Sequence, residues 1–183
     1  MKYRLTAIAV LAASFTLPAL AQTVQVGGQP MFPSKTIVAN ALNSADHTTL
    51  VAAVKAAGLV DTLNGPGPFT VFAPVNAAFA ALPAGTVDSL LKPENKAMLT
   101  KVLTYHVVAG NYDAAKLRQM IKAGNGEATL KTVAGATLTF SMNGPSNIVV
   151  HDGKGDVADI TISDVRQSNG VIHVIDHVLL PAA

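Results

Sequence analysis

His173 and His177 stand four residues apart near the end of a 183-residue chain. On a helix that spacing puts two imidazoles on one face and invites a zinc reading. The run Val171-Ile-His-Val-Ile175 is β-branched, however, and on a strand residues four apart are separated by about 13 Å, too far to share one ion. No cysteine and no third nearby histidine completes a ligand set. Asp152-Gly-Lys-Gly-Asp156-Val-Ala-Asp159 offers carboxylates on a glycine-rich turn, the right ligand type for calcium, but its spacing misses the helix–loop–helix pattern. It reads as a hairpin turn with solvated carboxylates. Catalytic signatures are missing: the chain has no Gly-x-Ser-x-Gly elbow, no His-Glu-x-x-His and no phosphate loop. Ser163, Asp164 and His173 form no recognisable triad, and a chain without cysteine has no thiol chemistry. These residues predict a non-enzymatic protein with no cofactor and no metal. His173 reads as a histidine at the core edge bonded to backbone, and His177 as a solvated one.

The elements that must position these side chains change character along the chain. Thr36–Asn43 carries apolar residues at helical spacing, and Leu50, Val54 and Ala57 continue at i, i+4 and i+7 before Gly58, a natural stop. Leu59–Leu63 adds a turn, and Gly65-Pro-Gly-Pro68 breaks the pattern. Phe69–Phe72 is β-branched and aromatic, hence a strand. Pro74 closes it, because proline cannot donate to a ladder. Asn76 is placed to cap a short helix over Ala77–Leu82. Pro93 and Glu94 suit the first turn of a helix whose buried stripe runs through Val102 and Leu103, and His106 falls one turn further along it. Val107 and Val108 turn to strand. Asp113 can cap a helix bearing Leu117, Met120 and Ile121 on one face. Strands then dominate: Ala128–Val133, Ala136–Met142, Ile148–His151, Val157–Ser163 and Val171–Leu180. Helices early and strands late predict an α+β fold with a mostly antiparallel sheet. Phe69–Phe72, the lone early strand, needs a late partner, and Val171–Ile175, apolar on both faces, is the natural one.

The N-terminus reads as a processing signal. Lys2 and Arg4 form a basic head, Leu5 to Leu17 is apolar, and Pro18-Ala-Leu-Ala21 ends in an Ala-x-Ala site, so cleavage is expected after Ala21. Residues 1–21 are thus a signal peptide, 22–35 an extended arm with Gly27-Gly28, Pro30 and Pro33 that lies outside the core, and 36–181 a single domain. No later stretch suffices to span a bilayer. The chain carries 13 Lys+Arg against 11 Asp+Glu, and losing Lys2 and Arg4 with the leader leaves 11 of each. A neutral exported domain has no electrostatic basis for binding nucleic acid or anionic lipid surfaces. With no cysteine, its stability must come from packing.

Three separated segments carry a resemblance. Thr70–Phe79 reads TVFAPVNAAF, Leu103–Val108 reads LTYHVV, and Asn169–Pro181 reads NGVIHVIDHVLLP. In order and spacing they resemble the first box, Tyr-His segment and second box of the fasciclin-like domain family. The resemblance covers about Thr36 to Pro181, with one departure at His177, where the family commonly carries lysine. It implies a β-sandwich or wedge of mostly antiparallel strands with a helical layer at one side. It implies structural roles for Thr70, Phe72, Ala73, Pro74, Asn76, Phe79, Asn169, Gly170, Val171, Ile172, His173 and Asp176. In that family the Tyr-His segment is associated with binding adhesion receptors, which carries over to Leu103, Tyr105, His106, Val107 and Val108. On the residues alone, Tyr105 can instead pack its ring and His106 can bond an inward polar group such as Asn76. The function implied is a periplasmic or secreted, non-enzymatic module attaching to protein or carbohydrate at a cell surface or matrix. The alternative is a periplasmic small-molecule or lipid binder, with a largely aliphatic core opening into a pocket.

Overall fold

The computed structural model describes residues 23–182; the expected signal peptide and the expected cleavage after Ala21 lie outside the described residues. The chain opens with a hairpin, β1 (Val24–Val26) and β2 (Gln29–Met31), paired antiparallel. Gly27 and Gly28 turn it with φ of 59° and 71°, the doubly positive geometry of a two-residue hairpin loop. A Cβ on Gly27 would lie 2.6 Å from the Ser44 hydroxyl. The segment expected as an arm outside the core is therefore corrected: alternation turns Val26 and Met31 inward, and both are buried in the main hydrophobic cluster.

Helices follow: α1 (Ile37–Ala41), α2 (Thr48–Ala57) and α3 (Val60–Leu63). Thr36 caps α1 through its side chain, and Gly58 ends α2 in the left-handed conformation, where the absent Cβ removes the steric penalty. Strand β3 (Phe69–Pro74) leads into α4 (Asn76–Ala80) and α5 (Thr86–Leu90). The last is a short turn that the hydrophobic pattern does not announce. Helix α6 (Lys96–Tyr105) runs directly into β4 (Val107–Ala109), and α7 (Ala114–Ala123) is capped by Asp113, whose side chain accepts the Lys116 amide. The strands β5 (Glu127–Lys131), β6 (Thr137–Asn143), β7 (Asn147–His151), β8 (Val157–Gln167) and β9 (Gly170–Ile175) complete the chain.

Seven strands form one sheet in the order β4-β3-β9-β8-β7-β6-β5. An isolated antiparallel bridge, Val108↔Thr132, joins the two ends and nearly closes the sheet into a barrel. All neighbours are antiparallel except β3 and β9, which run parallel in the register Phe69↔Gly170 to Pro74↔Ile175. The expected partnership across about a hundred residues thus holds. Close backbone approach makes it possible: a Cβ on Gly170 would lie 2.0 Å from the Phe69 carbonyl oxygen.

Two cores lie on either side of this central pair. Val71, Ala73, Ile172 and Val174 face the helical layer, where they meet Ile37, Leu50, Val54 and Leu103. Phe72 and Ile175 face the other way, into a cluster with Tyr105, Leu117, Leu138 and Phe140. Period-two alternation therefore places apolar residues on both faces of β3 and β9.

Two strand boundaries differ from the pattern. β8 runs on to Gln167 through an irregularity near Asp164, which sits at φ 59°. β9 stops at Ile175: Asp176 N still reaches the Asp159 carbonyl at 3.3 Å, but further on the amides turn to side chains, Leu179 N donating to His106 Nε2 at 2.9 Å and Leu180 N to Asp152 Oδ2 at 2.7 Å.

Candidate functional site

Helix α6 delivers the Tyr-His segment to the junction of the two cores and divides it between them. Tyr105 is fully buried on the sheet side, and its hydroxyl donates to the Thr137 carbonyl at 2.9 Å. Val108 follows it into the same cluster. Leu103, His106 and Val107 face the helical side and border an aliphatic cleft. All five residues expected to bind a partner are buried, at exposures of 0–6%. The expectation of a surface contact there is corrected: a segment that changes from helix to strand between two cores has both faces covered.

His106 holds the C-terminal end of α6. Its Nδ1 lies 2.8 Å from the Val102 carbonyl and must carry the proton; Nε2, left as an acceptor, receives the Leu179 amide at 2.9 Å. The ring is thereby fixed as one neutral tautomer with both nitrogens satisfied. Burial lowers its pKa to about 4, against the opposing pull of the Val102 carbonyl and the Asp152 carboxylate. The suggested partner Asn76 is elsewhere. Asn76 Oδ1 accepts the Thr49 amide at 3.0 Å and its Nδ2 donates to Ala45 O at 2.9 Å. It therefore caps α2, not the helix it begins, whose N-cap is Val75.

His173 is likewise neutral and buried. Nε2 donates to the Tyr112 carbonyl at 2.8 Å, and Nδ1 accepts the Asp164 amide at 3.3 Å. Its ring stacks on Phe72 with centroids 5.6 Å apart, and burial lowers its pKa. Asp164 does come beside His173, but through its amide; its carboxylate accepts Ala114 N at 2.7 Å, at the start of α7. No catalytic relay follows from that geometry. His177 is exposed and pairs with Asp176 at 2.9 Å.

The remaining box residues are joints. Asn169 Oδ1 accepts Ile37 N at 3.0 Å, while Nδ2 donates to Leu63 O at 2.8 Å and Gly65 O at 3.0 Å. One amide thus ties α1 and α3 to the start of β9. Thr70, fully buried, donates to Gly110 O at 2.8 Å and accepts Tyr112 N at 2.9 Å. Asp176 accepts Asp159 N at 2.8 Å. Phe72, Ala73, Pro74 and Phe79 are buried, as are Val171 and Ile172. The Asp152 turn is more built than a solvated hairpin: Oδ1 accepts the Lys154 and Asp156 amides, both at 2.9 Å, and Oδ2 holds Leu180.

Two features have lining residues that sequence reasoning did not name. Ser44 and His47, both buried, meet at 2.8 Å between Oγ and Nδ1, while His47 Nε2 finds no well-aligned partner. Burial lowers the His47 pKa, partly offset by the Ala73 carbonyl and the Asp46 carboxylate. The adjoining cavity of about 20 Å³ has room for a water and nothing larger. The second is the aliphatic cleft, with a cavity volume of about 80 Å³ between α1, α2 and α3 and the faces of β3 and β9. Exposed Leu42 and Lys55 and half-buried Val51 mark its mouth. By the scaling measured for closed cavities, unfilled apolar volume of that size costs on the order of 2 kcal/mol. Only the aliphatic composition of the helices hinted at it.

Comparison with known proteins places this geometry. The sequence profile described as Fasciclin domain matches residues 45–181. Protein sll1483 of Synechocystis sp. is 54% identical over 148 residues, covering 80% of this chain and 73% of that protein. The immunogenic protein MPB70 of Mycobacterium bovis is 40% identical over 148 residues, covering 78% of this chain and 67% of its own length. The cell surface glycolipoprotein MPB83 of the same species is 39% identical over 125 residues, covering 68% of this chain and 49% of that protein. A solved FAS1 domain pair from the insect cell adhesion molecule fasciclin I superposes with a TM-score of 0.57 at 26% identity, covering 72% of this chain and 43% of that one.

Proposed function

We propose that this chain, which belongs to the fasciclin domain family, is a non-enzymatic exported module that attaches a cell surface to a protein or carbohydrate partner in its surroundings. The observation that carries this reading is the burial of the histidines that chemistry would need: His47, His106 and His173 are all neutral, enclosed structural groups, and the exposed His177 pairs only with Asp176. A cell surface glycolipoprotein and an insect cell adhesion molecule among its similar proteins support the same class of role.

The near-closed sheet leaves few free edges for strand pairing. The contact surface is therefore the helical side, where Leu42 and Met98 stand 52% and 60% exposed. Tyr105 and His106 serve attachment indirectly, by fixing α6 beneath that surface. Attachment of a deletion strain to surfaces and to neighbouring cells tests the reading, and unchanged attachment despite normal expression in the parent would remove it. Tyr105→Phe separates the two roles of the motif. It should lower stability by about 1 kcal/mol, through the lost bond to Thr137, and leave attachment intact. A second reading, capture of an apolar small molecule, is favoured by the aliphatic cleft bordered by Leu103, His106 and Val107.

A further inference from the structure

We infer that the cleft between α1, α2 and the β3/β9 face takes the alkyl chain of a monocarboxylate, a fatty acid, with Lys55 at the mouth receiving the carboxylate. The inference rests on the second reading above and goes beyond it by naming the ligand class and the group that selects it.

Shape and composition set the chain. The cavity volume is about 80 Å³, roughly half that of an engineered apolar cavity that admits benzene, so it holds a few methylenes and no ring system. Its walls are aliphatic: Val54, Leu63, Val71 and Ile172 belong to the packed core. The one polar side chain in the depth, His106, has both nitrogens bonded to backbone and offers no donor to a ligand. Hydrogen-bonding ligands therefore lose water there without replacement, whereas a saturated chain loses none.

Charge sets the head group. Lys55 is exposed, lines the cleft and forms no ion pair among the described residues, where the single bridge is His177–Asp176. Among the described residues, no acidic one lines the cleft. An amphiphile seated with its chain inward thus meets an unpaired ammonium at the mouth. A carboxylate is attracted, an alcohol is tolerated and an amine is repelled.

The test is methyl NMR titration of the exported chain with straight-chain carboxylates from butyrate to dodecanoate, and with hexanol and hexylamine, whose short chains keep the head group at the mouth. Affinity should rise about fourfold per added carbon and level off once the cleft is filled, with shifts centred on Val51, Val54 and Leu103. Lys55→Glu, at an exposed position, should weaken hexanoate roughly fivefold and leave hexanol unchanged. Val51→Phe should block the mouth and abolish binding while the spectrum stays folded. Equal binding of hexanoate, hexanol and hexylamine overturns the carboxylate assignment and leaves a general apolar site. No chain-length dependence, or shifts elsewhere on the surface, overturns the cleft itself and the second reading with it.

Discussion

The imidazole of His106 accepts the amide of Leu179, seventy-three residues further along the chain, at 2.9 Å. That one bond fixes the segment after β9 against the end of α6, since Nδ1 of the same ring donates to Val102 O. His106→Ala strands a buried amide and leaves a cavity beside the cleft. The expected loss is about 2–4 kcal/mol, read as a lower urea midpoint with the m-value unchanged. An unaltered midpoint would show that water or a local shift replaces the ring.

The same burial makes stability depend on acid. His106 titrates near 4 in the fold and near 6.5 in the unfolded chain. Above pH 6.5 both states hold it neutral and its contribution is fully present. As the pH falls from 6.5 towards 4, the unfolded chain takes up the proton first and stability declines, by about 3 kcal/mol from this group alone. His47 and His173 are lowered in the same direction by burial and steepen the decline. Urea midpoints at pH 7, 5.5 and 4 check this, and a flat profile across that window would contradict the neutral tautomers assigned here.

The architecture was legible where physics is local or where apolar alternation is doubled. Val171–Ile175, apolar on both faces, announced a central strand, and Phe69–Phe72 was the one early strand available to pair with it. Asp113 as a cap and Gly58 as a stop were readable from type and position alone. The misplaced polar side chains share one cause: an asparagine or histidine side chain advertises hydrogen-bonding capacity but not its address. Asn76 caps a helix twenty-seven residues upstream of itself, and His106 reaches a C-terminal amide. The hairpin at Gly27-Gly28 went unread because short strands with Pro30 look extended and unpaired. A pocket in the aliphatic core was legible only as an alternative, and its lining was not, because a void is a property of packing between helices and sheet, which no single segment encodes.

Gly170→Ala tests the central pair. The new Cβ would sit 2.0 Å from the Phe69 carbonyl oxygen and 2.9 Å from the Phe69 carbonyl carbon and amide nitrogen, all backbone atoms that cannot swing aside. The first register position of β3 and β9 must open, and with it the bond from Phe69 N to Asn169 O. A loss of more than about 3 kcal/mol is expected, accompanied by faster amide exchange at Phe69 and Val71. A wild-type thermal midpoint would mean that the strands separate freely there.

Asp164 offers a cleaner dissection, because its two duties can be removed one at a time. It occupies φ 59° beside the β8 irregularity, and its carboxylate caps α7 at Ala114 N. Asparagine tolerates the left-handed backbone and keeps an oxygen acceptor, so Asp164→Asn should cost a few tenths of a kcal/mol. Glycine keeps the backbone geometry but loses the cap, for about 1 kcal/mol. Alanine loses the cap and adds the Cβ penalty of that conformation, for roughly 2–3 kcal/mol. Since the Asp164 amide also feeds His173 Nδ1, the alanine variant should disturb the imidazole resonances of His173 while the asparagine variant leaves them in place. Thermal midpoints in the order asparagine, glycine, alanine support this account; alanine as stable as glycine would show that the irregularity relaxes and that only the cap matters.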